Sequence, residues 1–238
     1  MRKIKASSNY LKNQTRKNLA KAVLCVLVFL LIFSVVMYRA ISRFEWDMLA
    51  WVGLVFLFVP IVAFCYYLRK YRIFSGGWAG EKQVAQHLNS TLSDDYYLIN
   101  DLYLREGGGD IDHVVLTPGG IFVLETKNWS GNITSSGDEW HRKGKRNFNS
   151  SPSRQVKRNV QKIQRIIGSS PVLRSMGIWV EGIVVLTNRH ASVHLTNPSV
   201  PVLKLQQLPS YITSRGSPRR FSREQLEAIG KEITKQKA

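Results

Sequence analysis

Two aspartates, a glutamate and a lysine occupy two neighbouring predicted strands of this 238-residue chain. Asp110 and Asp112 begin the first strand, and Glu125 and Lys127 end the second. Side chains alternate between the two faces of a strand, so Glu125 and Lys127 point to the same side. The same alternation puts Asp110 and Asp112 on one face. Spacing therefore does not choose between these two aspartates, and we favour Asp112.

These residue types are suited to the hydrolysis of phosphodiester bonds. Magnesium ions bind oxygen ligands, keep several waters and need only one or two protein carboxylates. A bound metal polarises the phosphate and lowers the pKa of a bound water, while a lysine beside it orients or deprotonates that water or neutralises charge on phosphorus. We expect Asp112 and Glu125 to bind Mg²⁺ or Mn²⁺, with Glu81 as a third carboxylate and Lys127 beside them. The alternative is an exposed Glu–Lys pair and a turn aspartate, a pair that contributes only about 0–1 kcal/mol.

A β-hairpin is predicted to position the residues of this site. Its strands, at 111–116 and 121–126, flank the sequence Thr-Pro-Gly-Gly at 117–120, which is a strong turn signal. Glu81 lies in the first turn of a helix predicted over 78–92, where apolar residues recur at helical spacing.

Strands and helices are also predicted in the rest of the polar part of the chain. The further strands cover 96–101, 133–135, 178–186 and 201–204, the further helices cover 153–167 and 222–235, and turns cover 107–110 and 137–140. The 178–186 run is almost continuously apolar, as in a strand covered on both faces. The order α-β-β-β-α-β-β-α predicts a mixed α/β fold.

The pattern of Glu81 on a helix, followed by Asp112, Glu125 and Lys127 on a hairpin, resembles the PD-(D/E)XK nuclease superfamily. The motif of that superfamily has a proline before the first aspartate, although many members lack it, and this chain has Ile111 there. The resemblance implies a restriction-endonuclease-like α/β fold with a mixed sheet flanked by helices. It also implies catalytic or metal-binding roles for the four charged residues.

Two longer stretches resemble the nuclease-related domain family, NERD, more closely. They are GDIDHVV at 109–115 and GGIFVLETKNWSG at 119–131, followed by Gln155 and Asn159 in the spacing Q-x-x-x-N. The resemblance covers roughly 78–186, which is under half of the chain. It implies that Gln155 supports the catalytic residues.

The chain is strongly basic, with 34 Lys and Arg residues against 16 Asp and Glu and a formal net charge of +18. A run without any acid lies between 142 and 165. Its predicted nucleic-acid-binding residues are Arg142, Lys143, Lys145, Arg146, Arg154, Lys157, Arg158 and Lys162. Such a surface attracts phosphate backbones of any sequence, with a steep dependence on salt. Anionic lipid is the alternative partner. We favour nucleic acid, and DNA over RNA, because the run adjoins the predicted metal site.

Two charge-free apolar runs, 22–38 and 48–68, precede the polar part of the chain. About 20 apolar residues span the ~30 Å hydrocarbon core of a bilayer, so both runs are predicted to be transmembrane helices. A cleaved signal peptide is the alternative for the first run, although no A-x-A site follows it. A buried core helix is the alternative for the second run.

The charges beside the two apolar runs predict their orientation. Seven basic residues and no acid precede 22–38, and Arg69, Lys70 and Arg72 follow 48–68. Because Lys and Arg favour the cytoplasmic side, we expect a two-helix hairpin in a bacterial-type inner membrane, with both ends cytoplasmic. The expected domains are a basic cytoplasmic N-terminus at 1–21, the two spans, a flexible linker at 69–77, a NERD domain at 78–190, and a C-terminal extension at 191–238 that packs on or follows it.

Three functions are compatible with these features. The one we favour is a membrane-anchored, Mg²⁺-dependent nuclease that acts on DNA at the cytoplasmic face. The second is a nucleic-acid-binding module with the same fold and little catalysis. The third is a membrane scaffold whose basic face binds lipid or a partner protein. Composition excludes a multi-span transporter, because most of the chain is polar.

Overall fold

The structure, a computed structural model, describes residues 1–4, 9–43, 48–104, 109–143, 151–218 and 220–235. The chain divides into two compact units. One unit, Asn9–Trp78, contains the apolar runs, and we call it the apolar unit. The other combines Met1–Ser8 with Ala79–Ala238 and contains the predicted catalytic residues; we call it the α/β unit.

Long apolar helices make up the apolar unit. They are α1 (Tyr10–Arg43), α2 (Met48–Phe56) and α3 (Phe58–Thr91), whose last residues belong to the α/β unit. By length and composition, the helical segments Tyr10–Ser42 and Trp51–Thr91 could each cross a membrane. Only 11% of the apolar window of each is buried, which argues against a buried core helix for the second run.

The second predicted span is interrupted at Leu57, between α2 and α3. Pro60 has no N–H to donate to the carbonyl of Phe56, and its ring crowds that carbonyl, so a regular helix is disfavoured at this point. The Leu57 N–H still donates to the carbonyl of Gly53 at 3.2 Å. The interruption is therefore confined to one turn.

The flexible linker predicted at 69–77 is instead helical and lies within α3. A glycine in a helix interior costs about 1 kcal/mol relative to alanine, which is why Gly76 and Gly77 suggested a joint. Gly77 packs closely against α1, because a Cβ there would lie 3.3 Å from Leu11 Cδ1. A close contact between two helices therefore accounts for one of the two glycines.

The α/β unit has one large and one small sheet. Its strands are β1 (Arg2–Ile4), β2 (Tyr97–Leu102), β3 (Ile111–Thr117), β4 (Gly120–Lys127), β5 (Gly131–Ser136), β6 (Glu139–Arg142), β7 (Val180–Leu186), β8 (Ala191–Thr196) and β9 (Val202–Lys204). Its helices after α3 are α4 (Pro152–Ser169), α5 (Pro171–Arg174), α6 (Leu208–Ser214) and α7 (Arg223–Lys235). The large sheet has the order β1-β2-β3-β4-β7-β9, and the small sheet has the order β6-β5-β8.

The large sheet mixes antiparallel and parallel strands and is buried on both faces. β3 and β4 form the predicted antiparallel hairpin, and β4 pairs in parallel with β7. Buried side chains of α4 and α7 cover one face, whereas those of α3 and α6 cover the other. The predicted mixed α/β fold, a sheet flanked by helices, is confirmed. Burial on both faces also explains why β7 is almost continuously apolar.

Some elements have no clear pattern in the sequence. β1 has only three residues, and most of β8 is exposed, so neither has an alternation of apolar and polar residues that could identify it. The turn predicted over 137–140 is wrong in its second half, because β6 begins at Glu139. The segment after 191 contributes β8, β9, α6 and α7 to the same unit.

Gly182 allows α4 to pack directly on β7. A Cβ there would lie 2.9 Å from Val160 Cγ2 and 3.0 Å from Val156 Cγ2. We predict that Gly182→Ala lowers the free energy of unfolding by about 1–3 kcal/mol through overpacking, as measured by urea denaturation. Gly168, also in α4, has nothing within 4 Å of a Cβ, so Gly168→Ala should be neutral or stabilise by up to about 1 kcal/mol. Equal effects of the two substitutions would contradict this account of the packing.

Candidate active site

The β3–β4 hairpin brings Asp112 and Glu125 together. Asp112 is the second residue of β3 and lies opposite the last residues of β4. The Thr126 N–H donates to Asp112 Oδ2 at 2.6 Å. The charge of Glu125 acts directly on Asp112. Two carboxylates that are far apart on the unfolded hairpin are therefore neighbours at one end of the sheet.

Lys127, the last residue of β4, contacts two further side chains of the predicted site. Its Nζ donates to Glu125 Oε1 at 2.5 Å and to Gln155 Oε1 at 3.3 Å. Gln155 lies in the first turn of α4, and the Ser151 side chain caps the start of that helix. The cap fixes where α4 begins and therefore where Gln155 meets Lys127.

Glu81 reaches the same end of the sheet because α3 approaches the strand ends closely at Gly80. A Cβ on Gly80 would lie 3.0 Å from both Asn128 Cβ and Thr187 Oγ1. A larger residue would force the helix away from the strands. Glu81 follows directly, and its charge interacts with that of Asp112. The structure thus brings the third predicted carboxylate to the first two.

Asp101 is a site residue that the sequence patterns missed. Its carboxyl group shares a hydrogen bond with that of Glu81. It lies opposite Asp112, at a point where the β2–β3 pairing is interrupted. Its φ of 50° is in the left-handed region, which aspartate tolerates better than most residues. The only signal in the sequence is an acid at the end of an apolar strand. The register between β2 and β3, which brings Asp101 opposite Asp112, cannot be predicted from the residues of β2.

Asp110 lies at the same site. Its charge acts on Glu81, Asp101, Asp112 and Glu125. Strand spacing did not distinguish Asp110 from Asp112, and the structure places both at the site. Asp112 accepts a hydrogen bond from the backbone of β4. We call these five acids, Glu81, Asp101, Asp110, Asp112 and Glu125, the carboxylate cluster.

Burial and mutual repulsion make the cluster electrostatically unfavourable without a cation. Burial, followed by the charges of Asp112 and Asp101, raises the pKa of Glu81 to about 10. Burial and the charge of Glu125 raise the pKa of Asp112 well above its ordinary value. Burial also raises the pKa of Glu125, against the opposing effect of Lys127. Burial alone would lower the pKa of Lys127, but the charges of Glu125 and Asp112 outweigh it and raise that pKa. The ammonium group is therefore retained, yet it offsets only part of the negative charge.

The donor atoms at this site fit the ligand preferences of magnesium or manganese. Glu125 is 1% exposed, and among the described residues its Oε2 has no hydrogen-bond partner. Asp112 and Glu81 supply further carboxylate oxygens beside it. In the described part of the chain, no three His, Cys, Asp or Glu side chains are already arranged around one ion position. Magnesium requires only one or two carboxylates and completes its shell with water, so Glu125 and Asp112 suffice.

The predicted nucleic-acid-binding residues fall into different environments. Arg154, Arg158 and Lys143 are exposed, and the charge of Arg158 reaches Glu125 in the cluster. Lys145 and Arg146 lie outside the described residues. Arg158 therefore combines access to solvent with an electrostatic interaction with the cluster.

Three of the predicted basic residues are engaged within the protein. Lys157 Nζ donates to both carboxylate oxygens of Asp138 at 2.9 Å. Arg142 Nη2 donates to Ser130 Oγ at 2.9 Å. Lys162 is buried at 7% exposure and donates to the Gly109 carbonyl at 3.2 Å. Its burial shows that the buried face of α4 includes polar side chains such as Lys162 and Asn159.

Two tryptophans lie beside the lysine of the site. Lys127 Nζ is 5.9 Å from the centre of the Trp129 ring, and Trp129 packs edge-to-face on Trp140 with ring centres 6.1 Å apart. The Trp140 Nε1 donates to Ser153 Oγ at 2.8 Å near the start of α4. The aromatic pair thus connects the end of β4 with the small sheet and α4.

The fold and site define a mixed α/β domain with a carboxylate–lysine cluster at the end of a central hairpin. Residues 76–187 match the model of the nuclease-related domain family, NERD, which supports the family indicated by the sequence motifs. The chain is also 40% identical over 63 residues to an uncharacterized protein of Bacillus anthracis. That similarity covers 25% of this chain and 30% of the relative, so the chain spans less than a third of the relative's length. No solved structure matches the chain.

Proposed function

We propose that this protein is a membrane-anchored nuclease of the PD-(D/E)XK type, which hydrolyses phosphodiester bonds in DNA with Mg²⁺ or Mn²⁺. The observation that carries the proposal is the convergence of Asp112, Glu125 and Lys127 at one end of the sheet, with Lys127 Nζ 2.5 Å from Glu125 Oε1. The match to a nuclease-related family supports the same reading.

Each residue of the site has a distinct role in this proposal. Asp112, Glu125 and Glu81 hold the metal ion, which when bound polarises the phosphate and lowers the pKa of its water. The raised pKa of Lys127 keeps its ammonium charged near neutral pH. Lys127 then acts as a cation that offsets negative charge developing on the phosphate. Gln155 accepts a hydrogen bond from Lys127 and orients it.

The two apolar helices serve as a membrane anchor in this proposal. Lys21 lies 5.3 Å from the Tyr67 ring centre, and Lys70 lies 4.6 Å from the Tyr66 ring centre. Lysine and tyrosine are typical of the membrane–water interface, where an apolar stem and a polar tip are both accommodated. With basic residues flanking both ends, we place the α/β unit on the cytoplasmic face of an inner membrane.

A cleavage assay tests the proposal directly. Full-length protein in detergent is incubated with linear DNA, supercoiled DNA and RNA, with Mg²⁺, Mn²⁺ or EDTA. We expect cleavage of DNA that requires either metal and stops in EDTA. DNA binding without cleavage under every metal condition would contradict catalysis and support the second function below.

Nucleic-acid binding without catalysis is the second candidate, and the exposed arginines of α4 favour it. Arg154 and Arg158 are one helical turn apart and reach solvent. They can contact successive phosphates whether or not the carboxylate cluster is active. This function would leave the buried acids with a structural role only.

Charge reversal at Arg154 and Arg158 together is expected to weaken DNA binding on all sequences alike. Each lost phosphate contact should reduce the slope of log affinity against log salt by about 0.7–0.9. The measurement is fluorescence anisotropy of labelled DNA over a range of salt concentrations. The control is a double variant, Lys231→Glu with Lys204→Glu, at exposed positions outside α4. It changes the net charge by the same amount and should leave most of the slope of log affinity against log salt intact. Equal slopes in the two double variants would mean that α4 is not the binding surface.

A further inference from the structure

The first residues of the chain form part of the sheet that contains the site. β1 pairs in parallel with β2 in the register Arg2↔Tyr97, Lys3↔Leu98 and Ile4↔Ile99. The Arg2 N–H also donates to the Tyr96 carbonyl at 2.9 Å. This segment lies before the apolar helices in the chain, whereas its partner strand lies after them.

Side chains on one face of β1 contact residues of α7 that are one helical turn apart. Arg2 and Ile4 lie on one face of the strand, and Glu227 and Gly230 are one turn apart on α7. Arg2 Nη1 is 3.3 Å from Glu227 Oε1, which also accepts from the Tyr97 hydroxyl at 2.9 Å. A Cβ on Gly230 would lie 2.2 Å from Ile4 Cδ1, so the Ile4 side chain occupies the space that a side chain at residue 230 would take.

The strand β1 covers the edge of β2. Tyr97, Leu98 and Ile99 are all buried, at 3% exposure or less. Without β1 the backbone groups on this edge would be open to pairing with another chain. β2 ends beside the site, because Asp101 follows Ile99 by two residues and shares a hydrogen bond with Glu81.

We propose that the edge of β2 and the adjoining face of α7 form a docking site for the chain's own N-terminal strand. The apolar unit is then an insertion within the α/β unit. Since β1 and β2 belong to one sheet, residues 2–4 and 97–99 lie on the same side of the membrane, and the chain between them crosses it an even number of times. This conclusion does not depend on the charges that flank the helices, or on whether the site cleaves DNA.

The contact between Ile4 and Gly230 gives a test of docking in the full-length protein. Gly230→Ala should lower the melting temperature in the natural background, because the new methyl group collides with Ile4. In an Ile4→Ala background the same substitution should lower the melting temperature much less, because only the contact of the new Cβ with Leu116 Cδ1 at 3.1 Å remains. Lys3→Ala, at an exposed position of the same strand, should leave the size of the Gly230→Ala effect unchanged. An equal loss in all three backgrounds would overturn the proposal.

Cysteine labelling tests the topological consequence. Cys25 and Cys65 are replaced by alanine, and a single cysteine is placed at Lys3 or at Lys231, both of which are exposed. Membrane vesicles are treated with a maleimide that does not cross the bilayer, before and after permeabilisation. We expect both positions to be labelled or both to be protected. Labelling of only one in sealed vesicles would overturn the proposal, and this outcome is independent of any result in the cleavage assay.

Discussion

Lys127→Met is expected to reduce metal-dependent DNA cleavage by roughly 10²–10³-fold, the usual effect of removing one group that stabilises transition-state charge. Lys127 is the cation of the cluster, in contact with both Glu125 and Gln155. Methionine has a similar length and no charge, so the packing against Trp129 is largely retained. The measurement is the single-turnover cleavage rate at saturating Mg²⁺.

A matched lysine elsewhere provides the control for this substitution. Lys231→Met on α7 removes the same charge from an exposed position and should leave the rate within about twofold of the unmodified protein, as expected of a surface change outside the carboxylate cluster. Lys127→Met should also retain most DNA affinity, because in our proposal the exposed arginines of α4 supply the phosphate contacts. If Lys127→Met cleaves as fast as the control, Lys127 has no catalytic role.

Asp112→Asn is expected to abolish cleavage and, in EDTA, to make the protein more stable. Asparagine can still accept the hydrogen bond from the Thr126 N–H, but it cannot bind the metal as a carboxylate does. Its neutral side chain removes both the cost of burying a charge and the repulsion from Glu125, which together raise the pKa of Asp112. A carboxyl pKa that is higher by one in the folded protein than in the unfolded chain corresponds to about 1.4 kcal/mol of destabilisation once the carboxylate is charged.

The stabilisation expected from Asp112→Asn increases with pH. Asp112 has a higher pKa in the folded protein than in the unfolded chain, so its penalty is absent below the ordinary pKa of 3.8 and grows as the pH rises through the folded value. The stabilisation by Asp112→Asn should therefore be present at pH 7 and vanish near pH 3. It is measured as the shift in the urea midpoint.

Asp138→Asn is a control that should change the free energy of unfolding in the opposite direction. The pKa of Asp138 is lowered by its hydrogen bond from Ser199 and by Lys157, so its charge contributes to stability at neutral pH. Asparagine at this position should reduce stability at pH 7. If both substitutions shift the urea midpoint in the same direction, the carboxylate cluster does not carry the unfavourable charge described here.

The central hairpin could be predicted from the sequence because its signals are local. Thr117 and Gly120 bound a turn whose residues specify its geometry, and the apolar strands on either side are contiguous. The positions of Glu125 and Lys127 on one face then follow from the period of a strand. Glu81 required one further assumption, that its helix packs across the strand ends, and Gly80 makes that approach possible.

The features that could not be predicted depend on contacts between distant segments. Asp101 belongs to the site because of the register between β2 and β3, which its own strand does not encode. Lys162 is buried because of a carbonyl 53 residues away, at Gly109. Residues 69–77 are helical despite their two glycines, and Gly77 lies against Leu11 of α1, a contact that the local sequence does not encode. β1 is too short for any pattern and exists only because β2 and α7 are present.

The sequence separation between β1 and its partners determines when their contacts can form during synthesis. Arg2 contacts Tyr97 and Glu227, which follow it by 95 and 225 residues. At about 5–20 residues per second, Glu227 leaves the ribosome roughly 10–45 s after Arg2. The N-terminal strand must therefore wait, unpaired, while both apolar helices are made, and its two basic residues keep it soluble during that interval. The β1–β2 pairing can form once residues 97–99 have emerged, whereas the contact between Arg2 and Glu227 can form only after α7 has followed.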